Sequence, residues 1–361
     1  MNGCLKKIAF RADASTQIGT GHFMRCLTLA DEFKNKGAKI RFISRNLPAH
    51  LIDMLNEKCM EYISLSADVA LESVDELAHA NWLGTSQAHD AQATMQALAD
   101  QLWDWLVVDH YGLDERWESA VRVCCKKLMV IDDLADREHN CDVLLDQNYY
   151  RDMRTRYNGK VPPHCNLLLG SSYALLREEF RKLREKLKPR SGEVKKILVF
   201  FGGFDADNYT SLAISVLEKF YSRLQVVIVI GAQHPNREQI QHACIAYGYT
   251  FHEQTTRMAE LMAEADLAIG AGGAATWERC CLGLPTLIVA VAENQIDIAN
   301  ALDSEGGCLY LGAKDEVNSQ TIQYAIAELL IAPTHVQAIS QQASSLVDGL
   351  GLSRVSQALG C

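Results

Sequence analysis

Two short runs of this chain combine glycine, hydroxyl, carboxylate and imidazole groups at spacings suited to holding an anion and acting beside it. The first is Arg11-Ala-Asp13-Ala-Ser15-Thr-Gln17-Ile-Gly19-Thr-Gly21-His22-Phe-Met-Arg25, directly after the apolar run Lys7-Ile8-Ala9-Phe10. The second is Gly270-Ala-Gly272-Gly273-Ala-Ala-Thr276-Trp277-Glu278. In each, a buried-strand pattern runs into glycines and then into a helix. That arrangement aims backbone N–H groups and a helix N-terminus at negative charge. Two such sites in one chain suggest a cleft between two halves.

His22 follows Gly19 and Gly21 at the expected start of a helix, where glycine lets the backbone turn tightly and a ligand approach closely. The positive end of the helix disfavours the imidazolium, so the ring is fit to act as a neutral general base. Asp13, at the end of the preceding strand, is the expected partner for the other ring nitrogen, fixing the tautomer. The plainer alternative is a helix-start histidine satisfied by a neighbouring carbonyl.

In the second run, Gly272 and Gly273 free N–H groups for phosphate, and Thr276 adds a hydroxyl. Glu278, on the first turn of the helix, can accept hydrogen bonds from both hydroxyls of a ribose, and Asn294 and Gln295 open the next helix. As an ordinary first-turn acid, Glu278 would simply favour the helix dipole. A third turn, Gly202-Gly203-Phe204-Asp205, is expected as a further phosphate contact, with Asn208 as an alternative N-cap. Arg177, beside Tyr173, could set its guanidinium on a diphosphate or a sugar substituent. Tyr111 ends another strand and lines the sugar side, or is a half-buried aromatic at a strand end.

Elements that would position these residues are legible as an alternation of strand-length apolar runs and helix-length amphipathic segments, the mark of a parallel sheet with helices on both faces. Strands are expected over 5–12, 39–44, 106–109, 127–131 and 143–145, and helices over 22–36, 47–56, 88–101 and 114–125. A charge-dense stretch over 177–192 reads as a surface helix and hinge, after which a second strand series begins at 196–201 and continues through 226–230, 267–269 and 286–290. The reading is α/β, two Rossmann-like domains facing across a cleft: 1–170 on the sugar and catalytic side, a hinge over 171–192, 193–335 for the nucleotide, and a helical segment over 336–361. A length of 361 residues suits two such domains.

Thirty-five basic and 45 acidic residues leave a formal charge of −10 with no long basic run, which argues against nucleic acid or an anionic membrane as partner. The start of the chain leads into a strand with no apolar signal region, and the 12 cysteines include the adjacent pairs Cys124-Cys125 and Cys280-Cys281, which lack metal or redox spacing. They read as small buried apolar groups in a reducing cytoplasm. No apolar stretch approaches the roughly 18–20 residues of a membrane span.

Taken together, these motifs resemble the nucleotide-sugar hydrolases of pseudaminic acid biosynthesis, the PseG-type enzymes, which look like two-domain GT-B glycosyltransferases related to MurG. The resemblance is carried by the first run from Arg11 to Arg25, by Val108-Asp109-His110-Tyr111-Gly112, by Tyr173-Ala-Leu-Leu-Arg177-Glu178-Glu179-Phe180, and by Gly202-Gly203 with Asp205. Trp277-Glu278 with its preceding glycines and Glu293-Asn294-Gln295 complete it. It implies hydrolysis of UDP-2,4-diacetamido-2,4,6-trideoxy-β-L-altropyranose to UDP and the free sugar. The family's catalytic histidine falls on His22, and its substrate-binding arginine, glutamate and asparagine fall on Arg177, Glu278 and Asn294. It further implies that no metal is required; no cofactor is expected, the expected partner is the small-molecule UDP-sugar, and a monomer is compatible with the sequence. Ala274-Ala275 stand where a hydroxyl residue is expected in relatives, which rests phosphate contact there on backbone and Thr276.

Competing readings are a MurG-like transferase passing the sugar to an acceptor, a hydrolysing epimerase using Asp132 and Asp133, and a nucleotide-sugar sensor without catalysis. Asp132 and Asp133 read more simply as strand-end residues, and the presence of both His22 and Asp13 argues against a sensor.

Overall fold

The structure, a computed structural model, describes residues 5–15, 17–65, 75–220 and 222–360. Thr16 of the first motif lies outside them. The chain divides into two compact units, the first running to Asn148 with Asp152–Leu175 and the chain from Leu352, the second comprising Tyr149–Arg151 and Leu176–Gly351.

In the first unit, β1 (Lys7–Ala12), α1 (Gly21–Asn35), β2 (Lys39–Ser44), α2 (Ala49–Glu57), β3 (Glu61–Ser64), α3 (Gln87–Leu98) and β4 (Trp103–Asp109) follow one another. Then come α4 (Glu115–Val121), β5 (Cys125–Ile131), β6 (Val143–Asp146) and β7 (Asn166–Leu169). The sheet is parallel throughout, in the order β3-β2-β1-β4-β5-β6-β7. Its central strands carry Ile, Val, Leu and Phe on both faces because helices cover both. One face packs Ile8, Phe10, Phe42 and Val107 against Phe23, Leu27 and Leu55. The other packs Ala9, Leu106 and Val130 against Leu98, Trp117 and Val121.

The second unit repeats the plan. It holds α5 (Glu178–Arg184), β8 (Lys196–Phe200), α6 (Tyr209–Leu217), β9 (Gln225–Ile230), α7 (Arg237–Tyr247), β10 (Thr250–Glu253) and α8 (Met258–Glu264). After these come β11 (Leu267–Ala271), α9 (Ala275–Cys281), β12 (Thr286–Ala290), α10 (Ile296–Ser304), β13 (Leu309–Ala313), α11 (Ser319–Ile331) and α12 (Pro333–Leu346), whereas α13 (Gly351–Ala358) belongs from Leu352 onward to the first unit. The parallel order is β10-β9-β8-β11-β12-β13. The expected helical segment over 336–361 divides: Val336 and Ile339 of α12 join the second unit's core, whereas Val355 and Leu359 pack in the first. Cys280 and Cys281 are buried on α9, and Cys125 opens β5 instead of ending a helix.

In both sheets the order of connection reverses beside the first strand, between β1 and β4 and between β8 and β11. At such a point neighbouring strands send their loops to opposite faces, which opens a crevice beyond their carboxyl ends. Each of the two chemistry-bearing runs leaves its sheet at one of these reversals.

Candidate active site and nucleotide site

Beyond β1, the chain turns at Ser15, whose hydroxyl accepts from the N–H groups of Gln17 and Ile18 and whose carbonyl accepts from Gly19 at 2.8 Å. Gly19 has φ +76°, and Gly21 opens α1, whose N-cap residue Thr20 makes no side-chain capping bond. His22 therefore sits in the first turn of α1, its side chain 10 % exposed.

Its Nδ1 lies 2.6 Å from Oδ1 of Asp109, the last residue of β4. Nε2 has no partner among the described residues. Arg25, one turn further along α1, donates to the same carboxylate through Nε at 2.5 Å and Nη2 at 2.7 Å, and to Asp133 through Nη1 at 3.0 Å. Burial alone would push the Asp109 carboxyl up, but Arg25 and His22 hold it well below the usual carboxylate range. Asp109 is thus a fixed anion that accepts the Nδ1 proton and leaves the Nε2 lone pair for a ligand. Asp133 is held in turn by the Tyr111 hydroxyl and by Asn148 Nδ2. Burial, then the Asp133 charge, keeps the Tyr111 phenol protonated far above its ordinary range.

Asp13 does not reach His22. It is fully buried, pairs with Arg11 at 2.8 Å, and accepts from Ser44 Oγ and the Arg45 N–H. The physical reason is that its carboxylate is already taken, by Arg11, by Ser44 and Arg45 at the end of β2 and by His110 just past β4 at 3.4 Å, whereas His22 on α1 meets Asp109, the last residue of β4. Arg11 bridges onward to Asp90, which also accepts from Arg45 and Trp117.

In the second unit both glycine turns leave the reversal between β8 and β11. A Cβ on Gly270 would stand 2.3 Å from the Phe200 carbonyl oxygen, and one on Gly231 1.9 Å from that of Gly203, so these turns approach too closely for any other residue. Asp205 and Asn208 both adopt left-handed backbone, φ +40° and +54°. Asp205 caps α6, accepting from the N–H groups of Tyr209 and Thr210 at 3.0 and 2.8 Å, with His234 behind it at 3.3 Å. The alternative cap, Asn208, makes no capping bond.

Gln295 is a structural brace: its Oε1 accepts from Gly272 N–H and Val291 N–H, each at 3.1 Å. The Gly272 donor expected for phosphate is consequently taken, whereas the N–H groups of Gly203 and Gly273 have no acceptor among the described residues. Thr276 is 1 % exposed and its hydroxyl receives Arg279 Nη2 at 3.0 Å, so it faces inward and not toward a ligand. Glu278 is 22 % exposed, with Arg177 at 3.7 Å; Arg177 also pairs with Glu179 at 2.9 Å. Burial pushes the Glu278 carboxyl up, with Arg177 and Arg279 pulling against it. Asn294 is exposed on the single turn Glu293–Gln295.

Comparison with known proteins agrees with the fold. Residues 196–349 match the glycosyltransferase family 28 C-terminal domain. The chain is 26 % identical over 305 residues to the UDP-2,4-diacetamido-2,4,6-trideoxy-beta-L-altropyranose hydrolase of Campylobacter jejuni, covering 83 % of this chain and 97 % of that one. It is 28 % identical over 213 residues to the spore coat polysaccharide biosynthesis protein SpsG of Bacillus subtilis, covering 58 % of this chain and 62 % of that one. It is 24 % identical to the uncharacterized protein MJ1062 of Methanocaldococcus jannaschii over 80 % of this chain, and spans only 56 % of that protein's length. MurG of Acinetobacter baumannii shares the fold with a TM-score of 0.66 over 99 % of each chain at 12 % identity. UGT2 of Phytolacca americana does so with 0.68 over all of both chains at 12 % identity. The α/β class, the GT-B fold and the similarity to the hydrolase are therefore findings.

Several site residues carry no sequence motif that announces them. Trp82 and His79 stand beside Tyr111, with ring centroids 5.5 and 5.4 Å from it, and Trp82 is 6.2 Å from the His22 ring. Arg279 is buried without a carboxylate within ion-pair distance among the described residues, donating to Ala271 O at 2.6 Å beneath the glycine turn. No helix of the described residues is long and apolar enough to cross a membrane.

Proposed function

We propose that this chain hydrolyses a UDP-linked N-acetylated deoxysugar, with UDP-2,4-diacetamido-2,4,6-trideoxy-β-L-altropyranose as the foremost candidate, to UDP and the free sugar in pseudaminic acid biosynthesis. The observation that carries the reading is the His22–Asp109 pair at 2.6 Å at the strand reversal, with Nε2 unpartnered among the described residues. Support comes from the named hydrolase and polysaccharide-biosynthesis relatives and from the family 28 domain in the second unit.

In the proposed mechanism, His22 Nε2 takes a proton from water as the water oxygen attacks the anomeric carbon. The bond from that carbon to the β-phosphate oxygen breaks, and its electron pair leaves with UDP. Asp109 keeps the Nδ1 proton in place and stabilises the imidazolium that forms, the role a buried carboxylate plays behind a catalytic histidine. UDP is a good leaving group, so one base and a preorganised anion site suffice. On the nucleotide side, the N–H groups of Gly203 and Gly273 meet the diphosphate, Arg177 adds positive charge, Glu278 accepts from the ribose hydroxyls, and Asn294 completes the contacts. Glu278 and Arg177 would part slightly to admit the ribose.

A time course with this UDP-sugar and no acceptor tests the proposal. The expected products are UDP and an equal amount of free sugar, with the inverted α anomer appearing first by proton NMR. Release of UDP only after an acceptor is added, or first appearance of the β anomer, would contradict it.

A further inference from the structure

The ring cluster beside His22 has a consequence for which sugar the site takes, and it rests on the nucleotide-sugar reading above. Trp82 lies on the single turn Ala80–Leu83, which Leu83 anchors at 1 % exposure and Gly84 ends in left-handed backbone at φ +68°. The turn thus fixes the indole firmly while leaving it half-buried. Its ring stacks on Tyr111, 5.5 Å between centroids at 28°, meets His79 at 4.5 Å, and stands edge-on to His22. Tyr111 is itself clamped by Asp133 and carries the Arg137 guanidinium 5.8 Å from its ring centroid. The cluster is therefore rigid on the protein side and open at Trp82.

Two properties of this indole are unspent. A tryptophan ring N–H finds a partner when it is buried, and the half-buried Trp82 N–H has no acceptor among the described residues, so it is available to a ligand that covers it. Its ring face, flanked by His79, offers apolar surface a few ångströms from the proposed base. Burial holds the His79 imidazole below its ordinary range, which favours the neutral ring and keeps the wall uncharged at neutral pH.

We infer that Trp82, flanked by His79, is the specificity-determining wall for an N-acetylated 6-deoxy sugar: its face packs the methyl-bearing side of the pyranose and its N–H donates to an acetamido carbonyl. A hexose with hydroxymethyl at C6 would place a hydroxyl against that wall, where it loses water without gaining a partner. The residue positions and selects; it takes no part in proton transfer.

The test uses the full chain carrying His22→Asn, so that nucleotide-sugars survive, with Trp82→Phe or Trp82→Ala added. UDP, UDP-N-acetylglucosamine and UDP-2,4-diacetamido-2,4,6-trideoxy-β-L-altropyranose are titrated by calorimetry, with circular dichroism as a folding control. Trp82→Ala is expected to weaken the diacetamido nucleotide-sugar about tenfold or more and to leave UDP within about twofold; Trp82→Phe, which keeps a ring and loses the N–H, falls between. Saturation-transfer NMR should place the strongest contacts on the acetamido and C6 methyl protons and lose them in Trp82→Ala. Unchanged affinity in Trp82→Ala, or an equal loss for UDP and the nucleotide-sugar, overturns the inference. Trp82-dependent binding in a wild-type chain that never releases UDP would sustain the wall and sink hydrolysis. Failure of the wild-type chain to bind any UDP-sugar would sink both.

Discussion

Asp109 Oδ1 accepts the proton on His22 Nδ1 at 2.6 Å, joining the end of β4 to the first turn of α1 across 87 positions of sequence. Arg25 binds the same carboxylate with two nitrogens, so the acceptor cannot swing away. The pair makes His22 a one-sided imidazole, its second nitrogen without a partner among the described residues.

Asp109→Asn should leave the chain folded and lower kcat by roughly 10²- to 10⁴-fold, because an amide can present N–H to Nδ1 and stabilise the wrong tautomer. KM should change little. Steady-state kinetics on the folded variant provide the check; a large rise in KM with kcat preserved would assign Asp109 to binding instead.

Asp13→Asn should behave oppositely. Removing the carboxylate leaves the buried Arg11 guanidinium short of one of its two partners, at a cost of about 3 kcal/mol in folding stability, the scale for breaking a buried pair. Urea unfolding should show that loss, while kcat per folded molecule stays within about threefold of wild type. Near-complete loss of turnover in a stably folded Asp13→Asn would restore it to the reaction.

Gln295→Leu removes the acceptor for the Gly272 and Val291 N–H groups and should weaken UDP binding about tenfold by loosening the turn, at roughly 1–2 kcal/mol for donors left unpaired. Gln295→Glu keeps that acceptor and should show nearly wild-type stability in urea unfolding, while its added charge beside the diphosphate still weakens UDP in calorimetric titration. Equal stability losses for the two variants would mean that Gln295 does not brace the turn.

Stability should fall on the alkaline side through His139. Burial alone would lower its imidazole, but Glu118 at 2.7 Å and Asp132 at 3.8 Å raise it from the ordinary 6.5 to about 9. A group raised on folding binds its proton more tightly in the native state. Its contribution is therefore whole below about pH 6.5 and disappears as pH climbs through about 9. The stability gap between wild type and His139→Gln should thus be larger at pH 6 than at pH 9.5 by roughly 2–3 kcal/mol. A gap independent of pH in urea unfolding would show that the histidine is neutral throughout.

What could be read in the sequence follows burial. The interior strands β1, β2, β4, β5 and β6, and β8, β9, β11 and β12, all appear as apolar runs because both of their faces are covered. The edge strands β3, β7, β10 and β13 escaped notice. Glu61–Ser64 and Thr250–Glu253, for instance, are part-exposed four-residue segments with no continuous apolar run. The site divides in the same way. His22, Glu278 and the glycine turns stand in runs whose chemistry is local, so their positions were legible. The partner of His22 was not, since Asp13 is near in sequence while Asp109 is near only because β4 lies beside β1. Thr276 and Gln295 were expected at the ligand for their polar groups, but those groups are used inside the fold. Trp82 gave no signal at all: a single tryptophan outside any motif acquires meaning only from the rings that the fold brings to it.

The most direct measurement is the fate of ¹⁸O-water during turnover of UDP-2,4-diacetamido-2,4,6-trideoxy-β-L-altropyranose by the wild-type chain and by His22→Asn. With His22 Nε2 as base and cleavage between the anomeric carbon and oxygen, the label appears in the free sugar and not in UDP. The His22→Asn rate should drop at least about 10²-fold, the contribution expected of a positioned general base. Label in the β-phosphate of UDP, or full-rate turnover without the imidazole, would contradict the assignment.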